Sequence, residues 1–223
     1  MAIGKGNKPR IPGKPRSLLP LTFVEGKKSG RSFAYTERAR KFIRQNPGVI
    51  KDFLQAWARL LVEGKGASIT VGETTVKFKR EIGDTNGFLL RRGGKRLFVK
   101  EFTQLPGNVV FPGDRPMHYA PQQIAAMHKA EKILLKQGIE PIQYEFAFKS
   151  GKQSFLVSRF YSFKTVEEIQ YSDEGLFDAL DKRRARACKK LEALGIADLE
   201  NHNCFYDPRR KIMLAFDLHF DKQ

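Results

Sequence analysis

The chain reads Gly-Ile-Ala-Asp-Leu-Glu-Asn-His-Asn-Cys-Phe-Tyr-Asp-Pro-Arg-Arg-Lys-Ile-Met-Leu-Ala-Phe-Asp over residues 195–217, and this stretch restricts the fold more than any other. Asp207-Pro208-Arg209-Arg210 has turn chemistry: Asp caps its own backbone, and Pro presets φ at the next position. Cys204, Phe205 and Tyr206 on one side, and Ile212, Met213 and Leu214 on the other, are apolar enough to pair across that turn. A hairpin of this kind brings its two ends together. Asp198 and Asn203 then lie at one end and Asp217 at the other, so three oxygen-bearing side chains converge. Two carboxylates and a carboxamide suit a hard divalent cation such as magnesium, which also takes phosphate oxygens.

The formal charge of +17 over 223 residues attracts polyanions. Nucleic acid, acidic protein surfaces, anionic lipid heads and nucleotide phosphates all qualify, and charge does not choose among them. Much of the basic excess opens the chain. Residues 1–30 carry Lys5, Lys8, Arg10, Lys14, Arg16, Lys27 and Lys28 among prolines that forbid a helix, and read as a basic flexible arm. Its Leu18-Leu19-Pro20-Leu21 is apolar enough to be pinned to the body. No apolar run is long enough to span a bilayer, and the start has no cleavable signal pattern. The expectation is a soluble cytoplasmic chain. Two cysteines make no disulfide framework, and four scattered histidines lack zinc-ligand spacing.

Residues 36–63 read as two helices divided at Asn46-Pro47-Gly48, with Thr36 capping the first. In the second, Val49, Ile50, Phe53, Leu54, Trp57, Leu60 and Leu61 form one apolar face, and Trp57 reads as core. Strands follow over 68–71 and 74–80, then 82–90, the Gly93-Gly94 turn, and 95–102. Residues 103–120 are Pro- and Gly-rich and irregular. Pro121 opens a helix that ends before Gly138. Ile124, Met127, Glu131, Leu134 and Leu135 fall near one face of it, and a carboxylate on an apolar stripe requires a partner. Strands at 142–148 and 154–160 complete an antiparallel sheet of about five strands. A short element at 166–169 precedes a long helix over 176–194, stopped by Gly195. The basic run from Lys182 to Lys190 reads as a solvated face, with a phosphate-tracking face as the alternative.

The order over residues 74–217 is a glycine turn, a strand Lys, a helix Glu, two strands, a connector, a long helix, Asp and Asn, a hairpin, and Asp. It resembles the protein kinase superfamily. The resemblance implies an α+β, protein kinase-like fold with a five-stranded antiparallel small lobe and one αC-like helix. A reduced helical large lobe and extra N-terminal helices complete it. The implied division is 1–30 arm, 31–66 N-terminal helices, 67–160 small lobe, and 161–223 reduced large lobe. Phe98-Val99-Lys100 is similar to the family's Val-Ala-Ile-Lys strand, so Lys100 would reach the nucleotide phosphates, although alternation leaves its face of the strand open. Glu131 would hold Lys100. Gly83 and Gly87 would let the backbone approach the phosphates, and Arg159, Phe160 and Tyr161 would form the hinge that receives adenine. Asp198 would orient the acceptor hydroxyl, while Asn203 and Asp217 would hold metal.

The implied cofactors are ATP with Mg2+ or Mn2+, and the implied reaction is phosphoryl transfer to a Ser or Thr hydroxyl of a protein substrate, an acidic one included. Departures are visible. Ile196-Ala197-Asp198 stands where the family has His-Arg-Asp, and Asp217-Leu218-His219 where it has Asp-Phe-Gly. With the sequence ending at Gln223, the activation segment is missing, which implies a minimal atypical kinase. The resemblance also admits secretion into a host cell as an effector. The alternatives are a kinase-shaped nucleotide- or partner-binding module without catalysis, and a basic protein that binds nucleic acid through its arm.

Overall fold

A computed structural model describes residues 15–19, 22–25, 32–64, 66–82, 85–103, 120–150 and 153–220. The chain is α+β. Its order begins with β1 (Thr22–Glu25), β2 (Ser32–Tyr35), α1 (Glu37–Gln45), α2 (Val49–Glu63), β3 (Ser68–Val71), β4 (Thr74–Ile82), β5 (Thr85–Arg92) and β6 (Lys95–Thr103). It continues with α3 (Ala120–Lys136), β7 (Ile139–Pro141), β8 (Tyr144–Ser150), β9 (Gln153–Arg159), α4 (Val166–Gln170) and α5 (Glu174–Glu192). The end is β10 (Ile196–Ala197), a single 3-10 turn at Asn201–Asn203, β11 (Cys204–Asp207), β12 (Ile212–Ala215) and β13 (His219–Phe220).

Eight strands form one antiparallel sheet in the order β1-β2-β8-β9-β6-β5-β4-β3. The five strands expected from the sequence are too few. The sheet grows at one edge because β2 pairs with β8, with Ala34 opposite Ala147, and β1 folds back on β2. Those two strands come from residues assigned to the arm and to the first helical region. Four-residue strands carry too little periodicity to announce themselves; their partner supplies the pairing. Residues 15–19 also depart from a free arm. Leu18 is buried, and the backbone N–H groups of Arg16, Leu18 and Leu19 donate to Glu140, Glu131 and Gln143. This segment is a strap held by backbone hydrogen bonds. Residues 1–14, 20–21 and 26–30 of the assigned arm, the irregular stretch at 104–119, and Gly83 lie outside the described residues.

Two cores lie on opposite faces of the sheet. On one face, α1 and α2 cover Val76, Phe78, Phe88, Leu90, Val99, Phe146, Phe155 and Val157. Thr36 caps α1 by accepting the Ala39 N–H at 3.1 Å. Gly48, in the left-handed region at φ 88, makes the break before α2. The buried stripe of α2 is Val49, Phe53, Ala56 and Leu60, an i, i+4, i+7, i+11 series. Leu61, expected on that stripe, is turned out to solvent. Trp57 flanks the stripe and donates its indole N–H to the buried Glu101 carboxylate at 3.0 Å, where Asn86 donates as well. Trp57→Phe keeps an aromatic ring but removes one donor from a buried anion. It should lower the unfolding free energy by about 1–3 kcal/mol, read from a denaturant titration; a change of only a few tenths would mean that Glu101 does not depend on Trp57.

On the other face lie α3, α4, α5 and the C-terminal strands, sharing one core with Phe102, Tyr144, Ala147 and Leu156 of the sheet. β7 pairs in parallel with β12, which pairs antiparallel with β11. Residues 139–141, assigned by sequence to the small lobe, are therefore hydrogen-bonded to the C-terminal hairpin. Cys204 is buried in this core, and burial pushes its thiol up to about 12, so it remains protonated at neutral pH.

Candidate active site

β6 runs inside the large sheet, and strand alternation divides its residues between the two cores. Leu97, Val99 and Glu101 face α1 and α2. Phe98, Lys100 and Phe102 face the other way, toward a cavity and the second core. This resolves the orientation that sequence alternation left open: Lys100 is on the side of the C-terminal hairpin. Gly87 of β5 sits directly opposite Lys100 in the ladder. Cross-strand partners share a face, so a glycine there leaves the surface beside the lysine without a covering side chain.

The Lys100 ammonium contacts both carboxylate oxygens of Asp217, which follows β12. The Gln123 amide, from α3, donates to Asp217 Oδ1. Both members of the ion pair are largely buried, at 12% and 14% side-chain exposure. A desolvated pair persists only when geometry and further hydrogen bonds support it, and here three separate elements supply that support. Beside it opens a cavity of about 290 Å³, with Phe98, Leu156, Phe160, Phe205 and Phe216 on its apolar walls. Phe205 and Phe216 stack at 4.4 Å between centroids. Tyr144 also lines the cavity; it is 4% exposed and its hydroxyl is buried with no hydrogen-bond partner among the described residues. Burial first, and the Asp217 charge second, raise the pKa of that phenol, so it stays a donor.

The hairpin brings the backbones of its two ends together, with Cys204 opposite Ala215. Asn203 is buried and donates its side-chain amide to the Asp198 carbonyl at 3.0 Å. The Asn203 carbonyl accepts the N–H of Phe216, the residue before Asp217, also at 3.0 Å. Asp198 and Asp217 share an uncommon backbone. Among the described residues, three non-glycine residues have positive φ: Asp198 at 76°, Asp217 at 66°, and Lys211 in the β11–β12 turn. Such conformations persist only where the surroundings enforce them, and they cluster at functional sites. His219 Nδ1 lies 3.6 Å from the Asp198 carboxylate. A further set, Asp198, Glu200 and His202, brings ligand atoms within 4.8 Å of one another. It leaves out Asn203 and Asp217, and its Glu200 and His202 are exposed.

Arg159, Phe160 and Tyr161 border the cavity. Their backbone is partly committed: the Arg159 N–H donates to Gln143 at 3.2 Å and the Phe160 N–H to Arg96 at 3.4 Å. The Arg159 guanidinium pairs with the buried Glu145 at 2.8 Å.

Glu131 is the clear correction. It is not the observed partner of Lys100; its carboxylate accepts the Leu18 N–H of the strap at 2.6 Å. The buried stripe of α3 runs through Gln123, Met127, Ala130 and Leu134, and Glu131 lies off that line. The signal for Gln123 was present, because it is the polar member of an i, i+4, i+7, i+11 stripe. Tyr144 carried no comparable signal. Glu131→Ala should therefore lower stability by about 1–3 kcal/mol by freeing the Leu18 N–H, measured by denaturant titration. Nucleotide affinity, measured in parallel, should stay unchanged; a tenfold loss would return Glu131 to the site.

No family model matches the chain, and comparison with curated proteins finds no match.

Proposed function

We propose that the chain binds ATP with Mg2+ or Mn2+ in the cavity beside Lys100 and transfers the terminal phosphoryl group to a Ser or Thr hydroxyl of a protein. This reading assigns it a protein kinase-like site in reduced form. The observation that carries it is the contact of Lys100 with Asp217 at the edge of an aromatic cavity. A strand lysine and a post-hairpin aspartate, 117 residues apart in sequence, meet where a nucleotide's phosphates would lie. The cavity is near the lower end of the range for small-molecule sites, which suits a purine between apolar walls. The donor set fits the metal: a carboxylate at Asp217 and a carboxamide oxygen at Asn203 are hard oxygen ligands. The Tyr144 hydroxyl, without a partner among the described residues, is a further polar atom suited to a ligand oxygen or a bound water.

The divalent cation supplies neutralisation of the charge that develops on the phosphoryl oxygens. The chain's own groups do the rest. Lys100 brings a fixed positive charge from the sheet to the phosphates. Gln123 holds the Asp217 carboxylate in place without adding a second negative charge. Asp198, on its enforced backbone, accepts the proton of the attacking hydroxyl. The stacked Phe205 and Phe216 close the apolar wall against water.

Incubation with γ-labelled ATP and magnesium tests the reaction, with autophosphorylation as the readout. Labelled chain is expected, and so is a rise in melting temperature with ATP that requires metal. A metal-dependent rise without label would reduce the protein to a nucleotide-binding module. No rise at saturating ATP would overturn the reading.

A further inference from the structure

α3 and α5 pack against each other in the second core, and they run in opposite directions. Lys129 Nζ donates at 3.0 Å to the Leu194 carbonyl, just past the end of α5. Arg183 lies against Gly138, just past the end of α3, where an added Cβ would come within 3.5 Å of its guanidinium. On α3 the exposed Lys129, Lys132 and Lys136 follow an i, i+3, i+7 series. On α5 the half-buried Arg183 and the exposed Arg186 and Lys190 follow the same series, and so share the flank on which Arg183 meets the end of α3. Residues so spaced share a helix face, one above another at about 5.4 Å per turn. Two parallel rows of three cations result.

The acids of these helices lie elsewhere. Asp181 is engaged by Arg184, and Glu192, eleven positions on, shares its flank of α5. Glu131 is engaged by the strap.

We infer that this two-helix face binds the phosphate backbone of a nucleic acid. A regular polyanion, with about one charge per 1.7 Å of duplex axis, can meet both rows at once. The face lacks what the other anionic partners need. Protein interfaces concentrate aromatic residues and are depleted in Lys, and membrane-surface helices need an apolar face. The exposed large apolar side chains among the described residues are Leu19, Leu61, Val62 and Tyr171, none of them on α3 or α5. Contact through phosphates implies little base preference. The inference does not depend on the nucleotide reading of the cavity.

The test uses the full chain and anisotropy of a labelled single-stranded RNA and a labelled DNA duplex over a salt series. Six phosphate contacts predict a log–log salt slope of about −4 for the single strand. The triple variant K132E/R186E/K190E should bind about 10- to 100-fold more weakly at low salt and lose about 2 units of slope. A control triple, K41E/R44E/K51E on α1 and α2, makes the same change in net charge and should retain most of the affinity. ATP-dependent thermal shifts should be the same in both triples as in the parent. Equal losses in the two triples would overturn the inference, because net charge alone would then explain binding. So would parent-like binding by the first triple. Binding of the parent to phosphatidylserine vesicles or to polyglutamate, with none to either nucleic acid, would also overturn it. If the first triple melts below the parent, the single variants K132E and K190E carry the same comparison.

Discussion

Asp217→Asn should keep the fold at some cost in stability and lose phosphoryl transfer by about 10³-fold or more. Asn keeps the size and one carbonyl oxygen, so Gln123 and Lys100 retain an acceptor. What disappears is the negative charge that draws a divalent cation to the phosphates, and metal and preorganised charge each supply several kcal/mol to such transition states. Asp217→Ala should be at least as inactive and less stable than Asp217→Asn, because it removes the acceptor oxygen as well as the charge facing the largely buried Lys100 ammonium. Comparing the two variants separates charge from packing. The measurement is initial rate of label incorporation at saturating ATP, with melting temperature recorded for each protein. Transfer by Asp217→Asn within tenfold of the parent would overturn the proposed metal role of Asp217.

Phe53→Ala should be the most damaging of the single stability variants proposed. Phe53 is 1% exposed at the centre of the core between α2 and the sheet. Its ring meets Phe88, Phe148 and Phe155 edge-on at 6.0, 5.9 and 5.4 Å between centroids. Truncation removes the burial of an aromatic ring and leaves a cavity among three others, an expected loss of about 3–5 kcal/mol. For a chain of this size that corresponds to a fall in melting temperature of roughly 10 °C. Val62→Ala, at a residue 87% exposed on the same helix, should cost less than about 0.5 kcal/mol. Similar losses in the two variants would mean that α2 does not pack as described. The Phe53 effect should reach the cavity beside Lys100 only through unfolding, since that cavity lies on the opposite face of the sheet.

Local chemistry made much of the architecture readable. The break between α1 and α2 follows from Asn46-Pro47-Gly48, where proline and a left-handed glycine interrupt the helix whatever surrounds it. The turn at Gly93-Gly94, the close of α5 before Gly195 and the β11–β12 hairpin around Asp207-Pro208 are likewise decided within a few residues. The approach of Asn203 to Phe216, the residue before Asp217, was legible for the same reason, because a short hairpin is enough to bring its two ends together.

What the tertiary structure decided depends on partners far away in the sequence. Period-two alternation separates Phe98, Lys100 and Phe102 from Leu97, Val99 and Glu101, but it cannot say which set meets α2 and which meets the hairpin. That choice came from the burial of Val99 and Leu97 beneath α2. Once it was made, Lys100 reached Asp217, and Glu131 was left to the strap. Helical period placed Glu131 near an apolar stripe, yet one residue along a helix is a turn of about 100°, and Gln123 held the buried line instead. β1 and β2 were invisible for a related reason, and of the strap at residues 15–19 only the apolar Leu18 and Leu19 were legible. Their hydrogen bonds are made by backbone groups, which every residue carries, so only the presence of β8, α3 and β7 beside them determines that they are used.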